Sequence, residues 1–407
     1  MIDICPFKAV RPPRDKAYLV ATRSYVTYSA RQHRDKLDYN PYTLLHVIDP
    51  QEGRKWKPGK RKYQLVREQY ENFCRQEIFI KDSRESFYLY RQIKDGNEYM
   101  GIIAAVSVQD YLENRIKKHE HTIESREKIF TDYLENTGFN AEPVLLTYRE
   151  DNALNQLMAQ YLKKRSEYEF TSTDRILHQL WLVDKKEDIT YIQEAFKQQE
   201  ALYIADGHHR SASSALLSQR LAAKGQKGEA HHYFMAFLIG EEQLKVYDYN
   251  RLIKGIGEQF LHELPHKLRS DFWVEPKNGA YKPEKIHEIG LYRESQWFKL
   301  VPKTGTFDPS DPVNHLDAQI LSDLILNPLL EVLNLKTDQR VAFMPGTEGA
   351  EGLEKAVDSG RYQLAFNLHP VSMEQVKKVA DANAIMPPKT TYVEPKLRSG
   401  LVVYELW

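Results

Sequence analysis

The spacing of apolar residues predicts alternating strands and helices in the first part of the chain. Residues 87–92 and 100–108 are rich in aromatic and branched side chains and flank an Asp-Gly-Asn turn, which predicts an antiparallel hairpin. Residues 108–136 carry apolar side chains every three or four positions, which predicts one long helix ending at Gly138. The short apolar run at 17–21 predicts a buried strand.

A second group of predicted elements surrounds a strongly polar segment. Residues 201–205 predict a buried strand, and residues 211–223, rich in alanine, leucine and serine, predict a helix. A strand, a glycine-containing turn and a helix together place backbone N–H groups at a helix start. The turn that joins the two elements consists of Asp206, Gly207, His208, His209 and Arg210.

The pattern changes again beyond Arg251, where helices alternate with short strands. Just before this change, the apolar run 233–239 is predicted to pair with 244–249 as a hairpin. We therefore expect a mixed α+β or α/β protein with two domains, residues 1–250 and residues 251–407, the second closing over a site in the first.

Composition narrows the classes of function. The 407 residues carry 57 Lys+Arg and 57 Asp+Glu, and this balance disfavours a dedicated nucleic-acid binder, which usually shows a basic excess. The two cysteines cannot build a disulfide framework or a cysteine-rich zinc site. No apolar run approaches the ~20 residues of a membrane helix, and the first residues lack the apolar core of a signal peptide. We expect a cytoplasmic protein without a membrane partner.

The turn at 206–210 is the strongest candidate for chemistry. Gly207 permits a tight backbone turn, and the helix that follows offers N–H donors and the positive end of its dipole. Arg210 is suited to binding phosphate oxygens, and His208 or His209 to donating a hydrogen bond or transferring a proton. Asp206 is a candidate ligand for a metal ion or for a substrate hydroxyl. The alternative is that Asp206 only caps the helix and that the histidines pack at the surface.

Two further segments carry candidate residues. On the predicted helix His119, Thr122 and Arg126 share one face with Glu120 beside them, which suggests a general base next to an anion site. The alternative is a solvated, charged helix face.

In the proline-rich stretch 386–401, the rigid backbone would hold three cations close to an anionic ligand. The alternative is that this stretch simply covers a sheet edge. These cations are Lys389, Lys396 and Arg398.

Several segments together resemble one family of bacterial and archaeal proteins, the domain-of-unknown-function family numbered one thousand and fifteen. The resemblance covers nearly the whole chain. It is carried by the segments 6–12, 40–47, 119–122, 203–210, 249–251, 386–390 and 395–400. That family is similar to the ParB and sulfiredoxin superfamily, in which a strand-turn-helix motif binds nucleotide phosphates. The resemblance implies a ParB/sulfiredoxin-like nucleotide-binding core with helical insertions, followed by a C-terminal α/β domain.

The same resemblance implies a function. A free serine kinase related to ParB carries a similar Asp-Gly-His-His-Arg element, so we expect phosphoryl transfer or phosphate hydrolysis on serine, phosphoserine or another small hydroxylated metabolite. The expected cofactors are Mg²⁺, held by Asp206, and a nucleotide, ADP or ATP. Glu120, His208 and His209 are the expected catalytic residues beside Asp206.

The remaining residues of the expected site bind phosphate or substrate. They are Gly207, Arg210, His119, Thr122, Arg126, Arg251, Lys389, Lys396 and Arg398. Three alternatives stay open: a ParB-like, nucleotide-dependent protein associated with DNA, a sensor that binds a phosphorylated metabolite without turnover, and a metal hydrolase that uses the pairs of histidines.

Overall fold

The computed structural model describes residues 1–50 and 58–407. They form a mixed α/β protein of two compact units, which we call unit 1 (Met1–Leu244 with Pro395–Trp407) and unit 2 (Lys245–Glu394).

Unit 1 is built on a nine-stranded sheet with strand order β6-β11-β8-β12-β5-β4-β10-β9, in which β1 also pairs with β5. Most neighbours are antiparallel, but β8 and β12 are parallel, as are β6 and β11. The strands of this unit before residue 245 are β1 Ile4–Cys5, β2 Val10–Arg11, β3 Ile80–Lys81, β4 Phe87–Lys94, β5 Asn97–Ser107, β6 Ile116–Lys117, β7 Phe139–Asn140, β8 Val144–Tyr148, β9 Tyr168–Thr171, β10 Leu177–Val183, β11 Leu202–Asp206 and β12 Tyr233–Gly240.

The helices of unit 1 pack against this sheet and against one another. They are α1 Ala17–Val20, α2 Ala30–Tyr39, α3 Leu45–Ile48, α4 Lys60–Arg75, α5 Val108–Leu112, α6 Glu124–Thr137, α7 Asn152–Leu162, α8 Lys186–Lys197 and α9 His208–Ala223. Helix α9 is buried along most of its length because its inward positions are small, and α6 packs against it. At that contact the hydroxyl of Thr131 donates to the Ser213 carbonyl oxygen at 3.2 Å. This packing holds the start of α9 at the end of β11.

Unit 2 contains a six-stranded sheet of order β15-β17-β16-β19-β14-β18 and a small two-stranded sheet, β13-β20. Its elements are β13 Lys245–Tyr247, β14 Tyr249–Ile253, α10 Glu258–Lys267, β15 Phe272–Lys277, β16 Ile289–Arg293, β17 Gln296–Pro302, α11 Asp317–Leu321, β18 Val341–Pro345, α12 Gly349–Asp358, β19 Leu364–Leu368, α13 Met373–Asp381 and β20 Tyr392–Glu394. A π-helical turn, Ser322–Leu326, continues α11.

The last residues of the chain return to unit 1. A final strand, β21 Tyr404–Glu405, pairs with β7. The backbones of Val403 and Val10 exchange two hydrogen bonds, at 2.9 and 3.0 Å.

Several predicted elements are confirmed. The hairpin of β4 and β5 is antiparallel, as the alternating aromatic and branched residues indicated. Helix α6 ends at Thr137, and Gly138 follows it with φ 74°, the left-handed conformation that favours glycine. Strand β11 and helix α9 flank the polar turn as predicted, although the helix begins three residues earlier, at His208.

Three predicted elements are wrong. The run at 17–21 is the helix α1, because Ala17 and Val20 are buried one turn apart after the turn that begins at Pro13. The predicted hairpin from 233–239 to 244–249 does not form. Instead β13 pairs with the distant β20, and β14 lies between β18 and β19.

The long helix predicted over 108–136 is also wrong. Helix α5 ends at Leu112 and the chain turns through Asn114, whose φ is 59°. It then forms β6 beside β11 before α6 begins. The Arg115 guanidinium donates to the buried Asp110 carboxylate at 2.6 Å, which stabilises this turn.

No helix within the described residues is long and apolar enough to cross a lipid bilayer.

Candidate functional site

The turn after β11 depends on Gly207 for its shape. Gly207 has φ 103°, a conformation that side chains rarely adopt. A Cβ atom at this position would lie 3.1 Å from Nε and Nη2 of Arg210, so the bare backbone also makes room for the guanidinium. Gly207 is the N-cap of α9 and no side chain caps the helix. Asp206 therefore does not cap helix α9, as the alternative had it.

Arg210 joins the turn to the start of the neighbouring strand β8. Its Nη1 donates to the Pro143 carbonyl oxygen at 2.7 Å and lies 2.7 Å from Oε1 of Glu142. Its Nη2 lies 3.4 Å from Oδ2 of Asp206. The partly exposed guanidinium of Arg210 is thus held at the helix start by the close carboxylate of Glu142 and the more distant one of Asp206.

The N-terminus of α9 supplies backbone donors at the same place. Its first intrahelical hydrogen bond runs from the Ser211 N–H to the Gly207 carbonyl oxygen at 3.0 Å. The N–H groups of the preceding turn have no acceptor within the helix, and the positive end of the helix dipole lies there. The helix start therefore places backbone donors beside the guanidinium of Arg210.

Two histidines from separate segments meet beside the turn. The rings of His119 and His208 lie 4.5 Å apart, edge to face, and each side chain is about 5% exposed or less. Burial lowers the pKa of His119 to about 4, and burial with His119 as a neighbour holds the pKa of His208 well below its usual range. Both imidazoles are therefore neutral near pH 7. Nδ1 of His119 and Nε2 of His208 are buried and have no hydrogen-bond partner among the described residues.

Glu120 lies at the edge of this pair, where its Oε2 is 3.7 Å from Nδ1 of His208 and its side chain is 41% exposed. His119 and Glu120 reach the turn from the loop between β6 and α6, not from the helix predicted for them. Strand β6 runs parallel to β11 and carries this loop to the same end of the sheet. The predicted proximity therefore arises from strand pairing.

The other two residues of that predicted helix face take different positions. The hydroxyl of Thr122 donates to the Glu127 carboxylate in the first turn of α6. Arg126 lies exposed in the same turn. The shared face predicted for His119, Thr122 and Arg126 does not exist, because only Arg126 is helical.

The C-terminal segment brings a second cation to the turn. Nζ of Lys396 lies 3.7 Å from Oδ2 of Asp206, and the Lys396 carbonyl oxygen accepts a hydrogen bond from the Gln92 amide at 3.2 Å. Two residues later, Nη2 of Arg398 donates to both carboxylate oxygens of Asp174, at 2.5 and 2.7 Å, and its side chain is only 6% exposed. Arg398 anchors the segment, and Lys396 extends from it to Asp206.

Two predicted site residues belong to unit 2. The guanidinium of Arg251 is fully buried and donates to the carbonyl oxygens of Tyr249, Lys389 and Pro388. Burial lowers its pKa to about 10. Lys389 has φ 57° and places its ammonium 5.3 Å from the centre of the Tyr249 ring. In this unit Arg251 therefore shapes the backbone around Lys389.

Sequence reasoning missed two carboxylates, Glu142 and Asp174, that hold the predicted arginines. Glu142 contacts Arg210 and also accepts a hydrogen bond from the Ser399 hydroxyl at 3.2 Å. Its position before the buried strand β8 was visible in the sequence. The antiparallel pairing of β8 with β11, which brings Glu142 to the turn, could not be seen in the sequence.

The arrangement does not fit a metal held by the protein alone. The carboxylate of Asp206 has two cationic neighbours, Arg210 and Lys396. Within the part of the chain that the structure describes, no group of three or more His, Cys, Asp or Glu side chains is placed to hold a metal ion.

The solved structures that match this chain do so with low identity and low TM-scores. A mutant free serine kinase in complex with AMP is 14% identical, with a TM-score of 0.38, and the match covers 74% of this chain and 92% of that one. A conserved hypothetical protein from Pyrococcus furiosus is 15% identical, with a TM-score of 0.36 and coverage of 75% and 95%. SbnI from Staphylococcus aureus, with a C-terminal truncation, is 12% identical, with a TM-score of 0.36 and coverage of 74% and 87%.

No curated protein matches the sequence. The family model described as "Protein of unknown function (DUF1015)" matches residues 4–319, which is most of the chain. The chain therefore belongs to this family.

Proposed function

We propose that unit 1 is a phosphotransferase that acts on the hydroxyl of a small metabolite, with a nucleotide as the phosphate donor or acceptor. The observation that carries this proposal is the meeting of Arg210, Lys396 and the N-terminus of α9 around Asp206. Phosphoryl transfer requires mainly positioning and neutralisation of phosphate charge. These groups supply both.

The anion site of this proposal consists of two cations and backbone donors. In the structure Arg210 and Lys396 lie 3.4 and 3.7 Å from Asp206. Charge-assisted hydrogen bonds are typically about 2.7–2.9 Å long, so neither cation makes a strong bond to this carboxylate. A phosphate group at the helix start would lie within reach of both cations.

Activation of the hydroxyl is assigned to Glu120. Its carboxylate is accessible to substrate and lies beside the neutral imidazole of His208. As general base it would take the hydroxyl proton while the oxygen attacks the terminal phosphorus of the donor nucleotide, whose bridging P–O bond breaks so that the shortened nucleotide leaves. The neutral His208 and His119 line the buried side of this position, where His208 would orient the hydroxyl by a hydrogen bond. His209 stays a candidate for a second contact to phosphate.

The remaining assignments rest on separate grounds. Arg398 is a positioning residue, because its guanidinium is directed to Asp174. The choice of serine or phosphoserine as substrate rests on the similarity of the Asp-Gly-His-His-Arg element to that of the free serine kinase. Mg²⁺ is commonly held by one or two carboxylates together with substrate phosphates, so in this proposal it arrives with the nucleotide.

The proposal is tested by phosphorus NMR of the full chain with Mg²⁺ and serine or phosphoserine, in separate reactions with ADP, ATP and no nucleotide. We expect new phosphate species in one reaction and a loss of rate of at least about 100-fold in Arg210→Ala, since removal of one charge-stabilising donor typically costs that much. Arg31→Ala, an arginine on α2 whose side chain is 93% exposed, is the matched control and should behave as the wild type.

A second readout separates binding from turnover. ADP should raise the melting temperature of the wild type and of Arg31→Ala but not that of Arg210→Ala. If Arg210→Ala is stabilised as strongly as the wild type, the assignment of the turn is wrong. If nucleotide binds but the phosphorus spectra do not change in any reaction, the protein is a sensor and not an enzyme.

A further inference from the structure

Unit 2 contains a small cavity that none of the predicted site residues lines. Its volume is about 10 Å³, which is room for one group the size of a water molecule. Four polar residues, Asp317, His369, Gln375 and Thr390, line it, and the rest of its wall is aliphatic or proline.

Asp317 is the charged group of this cavity. Its side chain is 6% exposed, and its Oδ1 accepts a hydrogen bond from the backbone N–H of His287 at 2.8 Å. His287 has φ 65°, a strained conformation for a residue other than glycine. Burial, with a further contribution from Glu288, raises the pKa of Asp317 to about 7. A buried carboxyl group with one modest partner would be stabilised by a cation.

Thr390 also lines this cavity and carries a hydroxyl acceptor. Its hydroxyl donates to the Pro387 carbonyl oxygen at 2.7 Å, so its proton is committed and only its lone pairs remain for a ligand. The residue before it, Lys389, has φ 57°, and the backbone is thus held in an unusual conformation on this side of the cavity as well.

His369 supplies the third acceptor. Its buried Nδ1 has no hydrogen-bond partner within residues 1–50 and 58–407, and this atom accepts a hydrogen bond in the tautomer that carries the proton on Nε2. The side-chain Oε1 of Gln375 already accepts a hydrogen bond from the backbone N–H of Ser372 at 3.0 Å. No lysine or arginine is among the lining residues. The cavity is therefore unfavourable for an anion.

We propose that this cavity binds the ammonium group of a small primary amine, with Asp317 as its counter-ion. An ammonium group is about the size of a water molecule and has three N–H donors. Three of the residues that line the cavity, Asp317, Thr390 and His369, carry acceptor atoms to match them. The inference rests on unit 2 alone and stands whether or not unit 1 transfers phosphate.

Proton release distinguishes this site from a simple salt bridge at the surface. Near pH 7 a fraction of Asp317 is protonated, and an ammonium group binds only the ionised form. Binding should therefore release protons. The other titratable groups around Asp317 are Glu288, paired with Lys299 at 2.5 Å, and the imidazoles of His287 and His369.

The test is isothermal titration calorimetry of the full chain with methylammonium chloride near pH 7, in two buffers of different ionisation enthalpy. We expect saturable binding with a buffer-dependent heat that reports proton release. Asp317→Asn, which keeps an acceptor for the His287 N–H, should weaken binding at least about 10-fold. Asp323→Asn removes the same charge from an exposed position on the adjoining π-helical turn and should bind as the wild type.

Thr390→Val is a second variant that leaves the charge of the cavity unchanged and should also weaken binding. Tetramethylammonium, which has no N–H donors and is too large for the cavity, should not bind. The proposal is overturned if methylammonium produces no saturable heat, in which case the cavity holds only water. It is equally overturned if Asp317→Asn binds as the wild type, or if tetramethylammonium binds as well as methylammonium.

Discussion

The protonation of His119 and His208 illustrates how burial decides the chemistry of a single residue. Their rings contact each other, so two positive charges at this place would repel, and the surrounding protein replaces the water that would solvate them. Neutral imidazoles accept or donate hydrogen bonds but do not supply charge to a phosphate. The positive charge of the proposed site therefore comes from Arg210 and Lys396.

His119 should make stability depend on pH. Its pKa is about 4 in the folded chain and about 6.5 when unfolded, so between these values the unfolded chain binds more protons. The contribution is fully present above about pH 6.5 and is lost as pH falls towards 4. We expect the wild type to lose on the order of 2 kcal/mol more than His119→Gln between about pH 7 and about pH 4.5, measured by urea unfolding.

His121→Gln is the matched control, because His121 is an exposed histidine in the same loop. It should follow the wild-type curve. Parallel curves for the wild type and His119→Gln would contradict the burial of a neutral imidazole at this position.

Residue types at the candidate site could be predicted from the sequence, but their surroundings could not. The turn at 206–210 stood out because glycine, histidine and arginine follow a short apolar run. Nothing in the sequence indicated that Arg398 would form hydrogen bonds to Asp174, or that Arg251 would be buried with its guanidinium bonded to carbonyl oxygens. Such pairings join residues far apart in the chain, and local patterns do not encode them.

For secondary-structure elements, the spacing of apolar residues gave the right strand or helix where a single element spans the whole patterned segment. It failed over 108–136, where two short helices and a strand keep nearly the same apolar spacing as one helix. It failed again after β12, because the strands that pair with β13 and β14 are at least 88 residues away in sequence, as for Ile253 and Val341, and hairpin rules do not cover such distances. His119 and Glu120 nevertheless reach the turn, since β6 carries them there.

The turn between β11 and α9 should be unusually sensitive to substitution of its glycine. In Gly207→Ala the added Cβ would meet both the strained φ of 103° and the guanidinium of Arg210. We expect a loss of roughly 1–3 kcal/mol in the free energy of unfolding, measured with urea. Gly225→Ala, at φ 66° after the end of the same helix and with open space around it, should cost only about 1 kcal/mol.

A double-mutant cycle separates the two causes at Gly207. If crowding against Arg210 contributes, Gly207→Ala should cost less in the Arg210→Ala background than in the wild type. Equal costs in both backgrounds, together with a cost no larger than that of Gly225→Ala, would show that the guanidinium does not lie against this turn.

For the whole molecule, the most consequential feature is the return of the last 13 residues, Pro395–Trp407, to unit 1. This segment carries Lys396 and Arg398 and adds buried apolar side chains to the core. Its strand β21 also pairs with β7. No pattern in the sequence separates it from the unit 2 strand that precedes it, because both lie in one proline-rich stretch. The first unit is therefore complete only when residues 395–407 have been synthesised.

Removal of residues 395–407 should unfold much of unit 1 while leaving unit 2 protected. Each buried apolar side chain contributes roughly 1.5–3 kcal/mol, and the loss of several approaches the ~5–15 kcal/mol that typically stabilises a folded protein. The side chains concerned are Leu401, Val402, Val403, Tyr404 and Leu406. Hydrogen exchange followed by mass spectrometry should show faster exchange in β2 and β7, whose backbones bond to this segment, with little change between 245 and 394.

A synthetic peptide of residues 395–407, added to the truncated chain, provides the control for this prediction. Because the truncation removes contacts and not only chain length, the peptide should restore protection in β7 in proportion to its concentration. The same peptide with Arg398→Ala and Val403→Asp should restore far less, since it lacks the guanidinium that binds Asp174 and buries a charge beside Val10. Unchanged protection of unit 1 after truncation would mean that the segment lies on this unit without stabilising it.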